Sequence, residues 1–373
     1  MSLKILHTGD LHIGMKFNGY PDSLRQQLTE ARFGVLDTLV QRANDTECHL
    51  LVIAGDLFDK TTVPAREVER VAATLDKFAG DCVLVLPGNH DYDNGLGGLW
   101  GQFQNRLTGK ILLLNECKPY HLQAFDLDVA VYPAPCQRKH SRSNNLDWMS
   151  SQFNAKAALW HIGLAHGALE GLSPDLNQEY FPMSRKELEA IPLDLWLLGH
   201  AHIPYPVQLA TSGQKIYNAG TPEPDGLDCK HEGHAWLLEI DENKSIRGIL
   251  QTVGNFRFLD ETKAVNDIQG LEKIRADYSN NKASRTILRL NLAGVLEPET
   301  YVQKGEYYRI LSEELAHFRV EDEGLRVRIT TEIIDREFTA GSFPQRFLNE
   351  FLHKGDQEAL QLAYEMLQEV KKP

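Results

Sequence analysis

Cysteine is scarce: five in 373 residues, at 48, 82, 117, 136 and 229, an odd number with no CxxC pair. That usage argues against a zinc ribbon or a disulfide framework and for reduced thiols. Long apolar runs are absent as well. No stretch reaches the roughly 18 residues of a membrane span, and no apolar leader precedes Asp10 and His12. The expectation is a cytoplasmic protein that makes no membrane contact. Positive charge is in deficit, with 39 Lys and Arg against 52 Asp and Glu and a net charge of −13. Nucleic-acid binders are usually basic, so the balance weighs mildly against that class, although a local cationic site still attracts phosphate. Internal repeats and low-complexity tracts are missing too.

At 42% hydrophobic and 24% charged residues, the chain has an ordinary globular composition and length enough for two or three domains. Leu3–Thr8, His49–Ala54 and Val83–Leu86 read as strands. Between them, Asp22–Ala43 carries Leu24, Leu28, Ala31, Val35 and Leu39 at helical spacing, and Pro64–Phe78 does the same with Val68, Val71, Leu75 and Phe78. This βαβαβ alternation predicts a mainly parallel sheet with covering helices. Further apolar runs at Lys110–Leu114, Leu127–Tyr132, Trp160–Ala165, Leu193–Leu198, Lys215–Asn218, Ala235–Ile240 and Ile246–Val253 have little helix between the later members. They predict a second, more antiparallel sheet and a four-layer α/β/β/α sandwich. Trp160 and Trp196, within strand-like runs, read as core and not as base-stacking platforms, and His7, His49 and His161 read as core or surface histidines. Composition shifts near Asn255–Asp260. The expected domains are residues 1–255, an α+β unit over 256–331, and a tail over 332–373. In the α+β unit, helices near Asp267–Tyr278 and Pro298–Leu315 alternate with strands Thr286–Leu292 and Leu325–Thr331. The tail begins as a linker and ends in two short helices, the last with Leu360, Ala363, Leu367 and Val370 on one face.

Where the apolar runs stop, ligand-type residues follow. Val83–Asp91 reads VLVLPGNHD, which delivers Asn89, His90 and Asp91 to a strand end, the place where α/β sheets carry their sites. The pattern repeats at Gly9-Asp10-Leu11-His12, Gly55-Asp56, Ala165-His166-Gly167 and Gly199-His200-Ala201-His202. Taken singly, each motif is common. Five in one chain, each closing an apolar run, point to one site built from five strand ends. Two divalent ions about 3.5–4 Å apart need a bridging ligand and roughly three more each. Asp10, His12, Asp56, Asn89, His166, His200 and His202 supply such a set. Its mixed nitrogen and oxygen donors suit Mn, Fe or Zn better than Ca or Mg. Only two of the seven are charged, so the loaded site would stay net positive and suit a phosphate diester, with water acidified by the ions as the nucleophile.

GDLH, GDLFD, GNHD, AHG and GHAH resemble the calcineurin-like metallophosphoesterase superfamily. The opening KILHTGDLHIGMKF, followed by IAGDLFDKTTVPA, resembles its SbcD-type DNA repair exonucleases, which work with an SMC-like coiled-coil ATPase. The resemblance implies that residues 1–255 are the phosphoesterase part and that the next unit is a capping domain. It further implies that Asp10, His12, Asp56 and His202 hold one metal, that Asp56, Asn89, His166 and His200 hold the other, and that Asp56 bridges. Manganese is the expected ion. His90 matches the catalytic histidine, positioning the scissile phosphate and protonating the leaving oxygen. A role in steadying Asp10 or Asp56 remains the alternative. Where other branches carry a second active-site histidine, this chain has Asp59. Lys60 beside it is either a source of positive charge or a solvated lysine.

The expected function is therefore a two-metal DNA exonuclease or endonuclease in repair. Arg138, Lys139, His140 and Arg142, or Lys16, are candidate phosphate contacts, with an ordinary solvated loop as the alternative. By similarity, the Leu24–Leu39 helix pairs two copies into a homodimer, and the last helices meet the ATPase. Both stripes fit simple packing equally well. The competing functions are a phosphoesterase on a cyclic nucleotide or phosphomonoester, which the acidic charge favours, and a metal-stabilised scaffold without activity.

Overall fold

The computed structural model describes residues 2–172, 175 and 177–371. The chain divides into two compact units, Met1–Phe258 and Leu259–Pro373.

In the first unit the elements run β1 (Ser2–Thr8), α1 (Asp22–Asp45), β2 (Leu50–Ala54), α2 (Ala65–Leu75), β3 (Cys82–Leu86), α3 (Leu99–Gln104), β4 (Ile111–Leu113), β5 (Tyr120–His121), β6 (Val129–Ala134), α4 (Asp147–Gln152), β7 (Trp160–His166), α5 (Arg185–Ala190), β8 (Leu195–Gly199), β9 (Ala210–Ser212), β10 (Ile216–Asn218), β11 (His234–Asp241) and β12 (Ile246–Thr252). They form a seven-stranded sheet, β4-β3-β2-β1-β11-β12-β9, and a five-stranded sheet, β10-β8-β7-β6-β5. β1 to β4 pair in parallel, as do β6, β7, β8 and β10.

The period-two alternation of side chains assigns each apolar residue to a layer. Leu6, Leu51, Ile53, Val83 and Val85 pack on one side with Val35, Leu39, Val68 and Phe103 of α1, α2 and α3. Ile5, Leu50, Val52, Leu84 and Leu86 point the other way and meet Val129, Val131, Ile162, Leu164, Leu195 and Leu197 of the second sheet. That sheet's far face carries Ala130, Tyr132, Ala165, Trp196 and Leu198 against Met149 and Leu188 of α4 and α5. The unit is thus the expected four-layer α/β/β/α sandwich, but its second sheet is not the more antiparallel one expected: that sheet is parallel apart from β5, and the antiparallel strands β11, β12 and β9 extend the first sheet beside β1. Strands buried on both faces explain why the sequence shows unbroken apolar runs there and not alternation.

The second unit holds β13 (Arg257–Ala264), α6 (Ile268–Tyr278), β14 (Thr286–Leu296), α7 (Pro298–Glu314) and β15 (His317–Val327), then α8 (Thr331–Glu337), α9 (Phe343–Lys354) and α10 (Gln357–Lys371). Its three-stranded sheet runs β13-β14-β15, with β14 and β15 parallel. Three details differ from the sequence reading. β15 begins eight residues before the expected Leu325, because an edge strand with a single buried residue, HFRVEDEGLRV, offers no apolar run. α8 occupies part of the expected linker, anchored by buried Ile333 and Ile334. On α10, Leu360, Ala363 and Leu367 join the tail's own cluster with Ile334, Phe338 and Leu348, whereas Val370 is 83% exposed.

Candidate metal centre

The eight singled-out residues lie at the C-terminal ends of β1, β2, β3, β7 and β8, His166 as the last residue of β7 and the others in the loops that follow. The loops after β1 and β2 run together. The Asp10 N–H donates to Gly55 O at 3.0 Å, and the His12 N–H donates to Asp56 O at 2.9 Å. Nine non-glycine residues have positive φ among those described, and four of them are Asp10 (53°), His12 (46°), Asp56 (50°) and His200 (98°). Strained backbone of this kind persists where its surroundings over-determine it, which is common at functional sites. Gly55 is required by both conformation and space: its φ is +88°, and a Cβ there would lie 2.1 Å from His166 Nδ1.

The donor atoms converge. His166 Nε2 is 2.9 Å from Asn89 Oδ1 and 3.3 Å from Asp56 Oδ2, and His200 Nδ1 is 3.1 Å from the same Asn89 oxygen. His12 Nε2 lies 3.2 Å from His202 Nε2 and 3.8 Å from Asp56 Oδ2. Candidate ligand atoms of Asp10, His12 and His202 fall within 4.8 Å of one another, as do those of Asp10, Asp56 and His166. A third such group is His12, Asp56 and His90, so His90 lies within ligand reach as well as beside the others. Its backbone N–H donates to Asp56 Oδ1 at 2.8 Å and its Nδ1 donates to Asp59 O at 3.2 Å.

The protonation pattern fits divalent ions. His166 Nδ1 donates to Ala54 O at 2.8 Å, which leaves its Nε2 lone pair facing the oxygens of Asn89 and Asp56. Acceptors facing acceptors call for a cation between them. His12 Nδ1 and Asn89 Nδ2 are buried with no hydrogen-bond partner among the described residues. Without an ion, the burden falls on protons. Burial pushes the Asp10 carboxyl up to about 7 and the His200 imidazole down to about 3, and it drives His12 well below its usual range. Burial opposes charge at His166 also, but Asp56 and Asp10 outweigh it and lift the group to about 9. Burial works against the Asp56 charge in turn, yet the facing histidines, His166 foremost, hold it far below the carboxylate range.

A family model described as calcineurin-like phosphoesterase matches residues 3–204. The chain belongs to the calcineurin-like phosphoesterase family. All eight residues fall inside that match. Among solved structures, the chain is similar to the crystal structure of TT1561 of Thermus thermophilus, with a TM-score of 0.39 and 11% identity over 66% of this chain and 98% of that one. The membership makes this a metal-dependent hydrolase of phosphoesters, with divalent ions as its cofactors.

Several residues that support the phosphoesterase centre were not among the expected ligands, and all of them but Asp91, the last residue of GNHD, lie outside the motifs. Asp91 is buried, and its carboxylate accepts from the Gly88 and Phe58 N–H groups at 2.7 and 3.0 Å, which ties the β3 loop to the β2 loop. Asn218 Nδ2 donates to Ala201 O and Ile203 O and pins the GHAH loop. Asp225 Oδ2 is 3.0 Å from His202 Nδ1 and 3.8 Å from Nη2 of the fully buried Arg32. Arg32 did leave a signal: it follows Leu28 by four residues and precedes Val35 by three, so a charge sits on the apolar face of α1. The Tyr180 ring lies 5.1 Å from that of His200 and 5.0 Å from that of His140. Of the expected phosphate contacts, Arg138, Lys139, His140 and Arg142 are grouped in one loop, while Lys16 and Lys60 are exposed after β1 and β2. Lys60 Nζ is 3.7 Å from Asp59 Oδ2, and Asp59 Oδ1 is 3.8 Å from His12 Nδ1.

Proposed function

We propose that this phosphoesterase is a two-metal DNA phosphodiesterase of the SbcD type, an exonuclease or endonuclease of DNA repair. The observation that carries the reading is the convergence of four imidazoles, one amide oxygen and only two carboxylates. Against two divalent ions this set leaves about two positive charges uncancelled, which suits a diester anion. The same donors favour manganese, with iron or zinc as substitutes. When bound, such ions supply Lewis-acid polarisation and an acidified water. The chain's own residues do the rest. His90, oriented by Asp59 O and by Asp56 Oδ1, would give a proton from Nε2 to the leaving oxygen as the imidazolium, keeping its Nδ1–H on Asp59 O. Support for a long substrate comes from the basic loop. The Ser141 N–H donates to Glu179 O at 2.7 Å and the Phe181 N–H donates to Ser141 O at 2.9 Å, so Arg138–Arg142 are tethered to the segment that sets Tyr180 beside His200. Backbone phosphates would meet four cationic or ionisable groups there.

On this reading residues 1–255 are the nuclease domain, 256–331 its cap, and 332–373 the tail that meets an SMC-like ATPase, with the nuclease working as a homodimer in the cytoplasm. The net charge of −13 favours a second reading, a phosphoesterase on a small cyclic nucleotide or monoester. Incubation with Mn²⁺ and either single-stranded DNA or a chromogenic diester separates them. DNA cleavage is expected, and His90→Ala should lower it about 10²- to 10⁴-fold while both ions are retained. Turnover of the small diester without DNA cleavage would overturn the proposal.

A further inference from the structure

Two of the imidazoles, His166 and His202, have unlike backing groups, which sets the two halves of the centre apart. His166 leans on a neutral acceptor, the Ala54 carbonyl, at 2.8 Å. His202 leans on a carboxylate, with Nδ1 3.0 Å from Asp225 Oδ2. A metal-bound imidazole whose far nitrogen donates to a carboxylate is a more basic ligand than one backed by a carbonyl, and the contact also fixes which nitrogen faces the ion. Here the carboxylate holds a proton on Nδ1 and turns Nε2 toward His12, whose own Nε2 is 3.2 Å away, so that a bound ion would take the Nε2 side of the ring.

Asp225 is held rigidly. Its side chain is 14% exposed, and Arg32, which is fully buried, stands 3.8 Å away. Arg32 Nη1 also donates to Leu11 O at 2.8 Å, the carbonyl between Asp10 and His12. One buried cation therefore serves both the first metal loop and the carboxylate behind His202. Thr221 adds a second tie: its hydroxyl lies 3.0 Å from Asp10 O and 2.7 Å from Glu223 O. Glu223 is clamped by the N–H groups of Asn255 and Phe256 at 2.7 and 2.8 Å. The segment Thr221–Asp225 is thus fastened at both ends around the centre, and it lies beyond residue 204, where the family match stops.

We infer that Asp225, backed by Arg32, is a positioning residue that orients His202 and makes the ion at Asp10, His12 and His202 the more tightly held of the two. The inference rests on the two-ion reading above. Asp225→Asn keeps the shape and an acceptor oxygen but removes the charge. Asp225→Ala removes both.

The test is calorimetric titration of metal-stripped full-length protein with Mn²⁺, with ion counts after dialysis and thermal melts of each variant. The wild type should bind two ions in two separable steps. Asp225→Asn should weaken the tighter step by about 10-fold and Asp225→Ala by about 100-fold, with the weaker step unmoved. Two ions in the wild type with an unchanged tighter step in both variants would overturn this inference alone. Equal weakening of both steps would overturn it as well, since that is what a general loosening of the fold gives. Fewer than two ions in the wild type would overturn the two-ion reading itself. If both variants melt, nitrogen-15 histidine spectra of the zinc-loaded wild type decide, with His202 expected protonated at Nδ1 and an Nε2-protonated ring counting against the assignment.

Discussion

Gly199 closes β8 one residue before His200, and the space for a side chain there is taken. An added Cβ would lie 2.0 Å from Ala54 O and 3.0 Å from His166 Nδ1, while real Cβ atoms essentially never come closer than 3.0 Å. Gly199→Ala must therefore move one partner by at least about 1 Å. Neither yields cheaply: Ala54 ends a fully buried strand, and its carbonyl is the acceptor that orients His166. Overpacking of this kind costs about 1–3 kcal/mol, a fall in Tm of about 3–10 °C for a unit of this size. A ligand displaced by about 1 Å costs roughly 100-fold in turnover. The expected result is a folded protein with Mn²⁺-dependent hydrolysis down about 100-fold and His166 unable to hold its ion. Gly109→Ala, where nothing lies within 4 Å of the new Cβ, is the control and should match wild type. Wild-type turnover and metal content in Gly199→Ala would refute the claim that this close approach sets the ligand geometry.

Two further outcomes concern protons. His7 on β1 is fully buried, and burial pushes its imidazole down to about 3, so the fold holds it neutral while the unfolded chain takes up a proton below about 6.5. Stability is complete above that pH and falls as acid is added, by about 2 kcal/mol at pH 5. Urea midpoints against pH should therefore show a flatter acid limb for His7→Leu, and parallel limbs would contradict the assignment. His166 and His202 each sit at about 9 without metal. Burial disfavours both charges, but Asp56 and Asp10 sustain the first, and Asp225 with Asp10 sustains the second. The metal-free protein thus binds more protons than the loaded one, so loading at about pH 7.5 should release about two protons and affinity should rise with pH towards about 9. Heats of Mn²⁺ binding that are independent of buffer ionisation enthalpy would contradict this.

The layer order of the Met1–Phe258 unit was legible because doubly buried strands write themselves as apolar runs, and the glycine ending most of them marks where chain and ligand must approach closely. The convergence of the seven candidate ligands and His90 was legible for the same reason. What escaped was short or indirect. Helix α5 spans only six residues, and its Ser184–Glu187 capping box is a local signal with no long stripe behind it. β15 is an edge strand with a single buried residue. Asp225 acts through His202 and follows no apolar run, so nothing in TPEPDG announces it. Tyr180 gains its place from the segment around it, where Gln178 and Phe181 both adopt positive φ, a geometry no local pattern in the sequence encodes.

The ligand loops do not share one parent sheet. Those bearing Asp10 and His12, Asp56, and Asn89 hang from the seven-stranded sheet, and those bearing His166, and His200 with His202, from the five-stranded one. Bound ions would act as rivets through the sandwich, resisting any shear of one sheet over the other. Conversely, a repacked Trp236 or Tyr217, deep between the sheets, would be felt at the rivets as a change of spacing, so the metal centre doubles as a gauge of how well the interior fits.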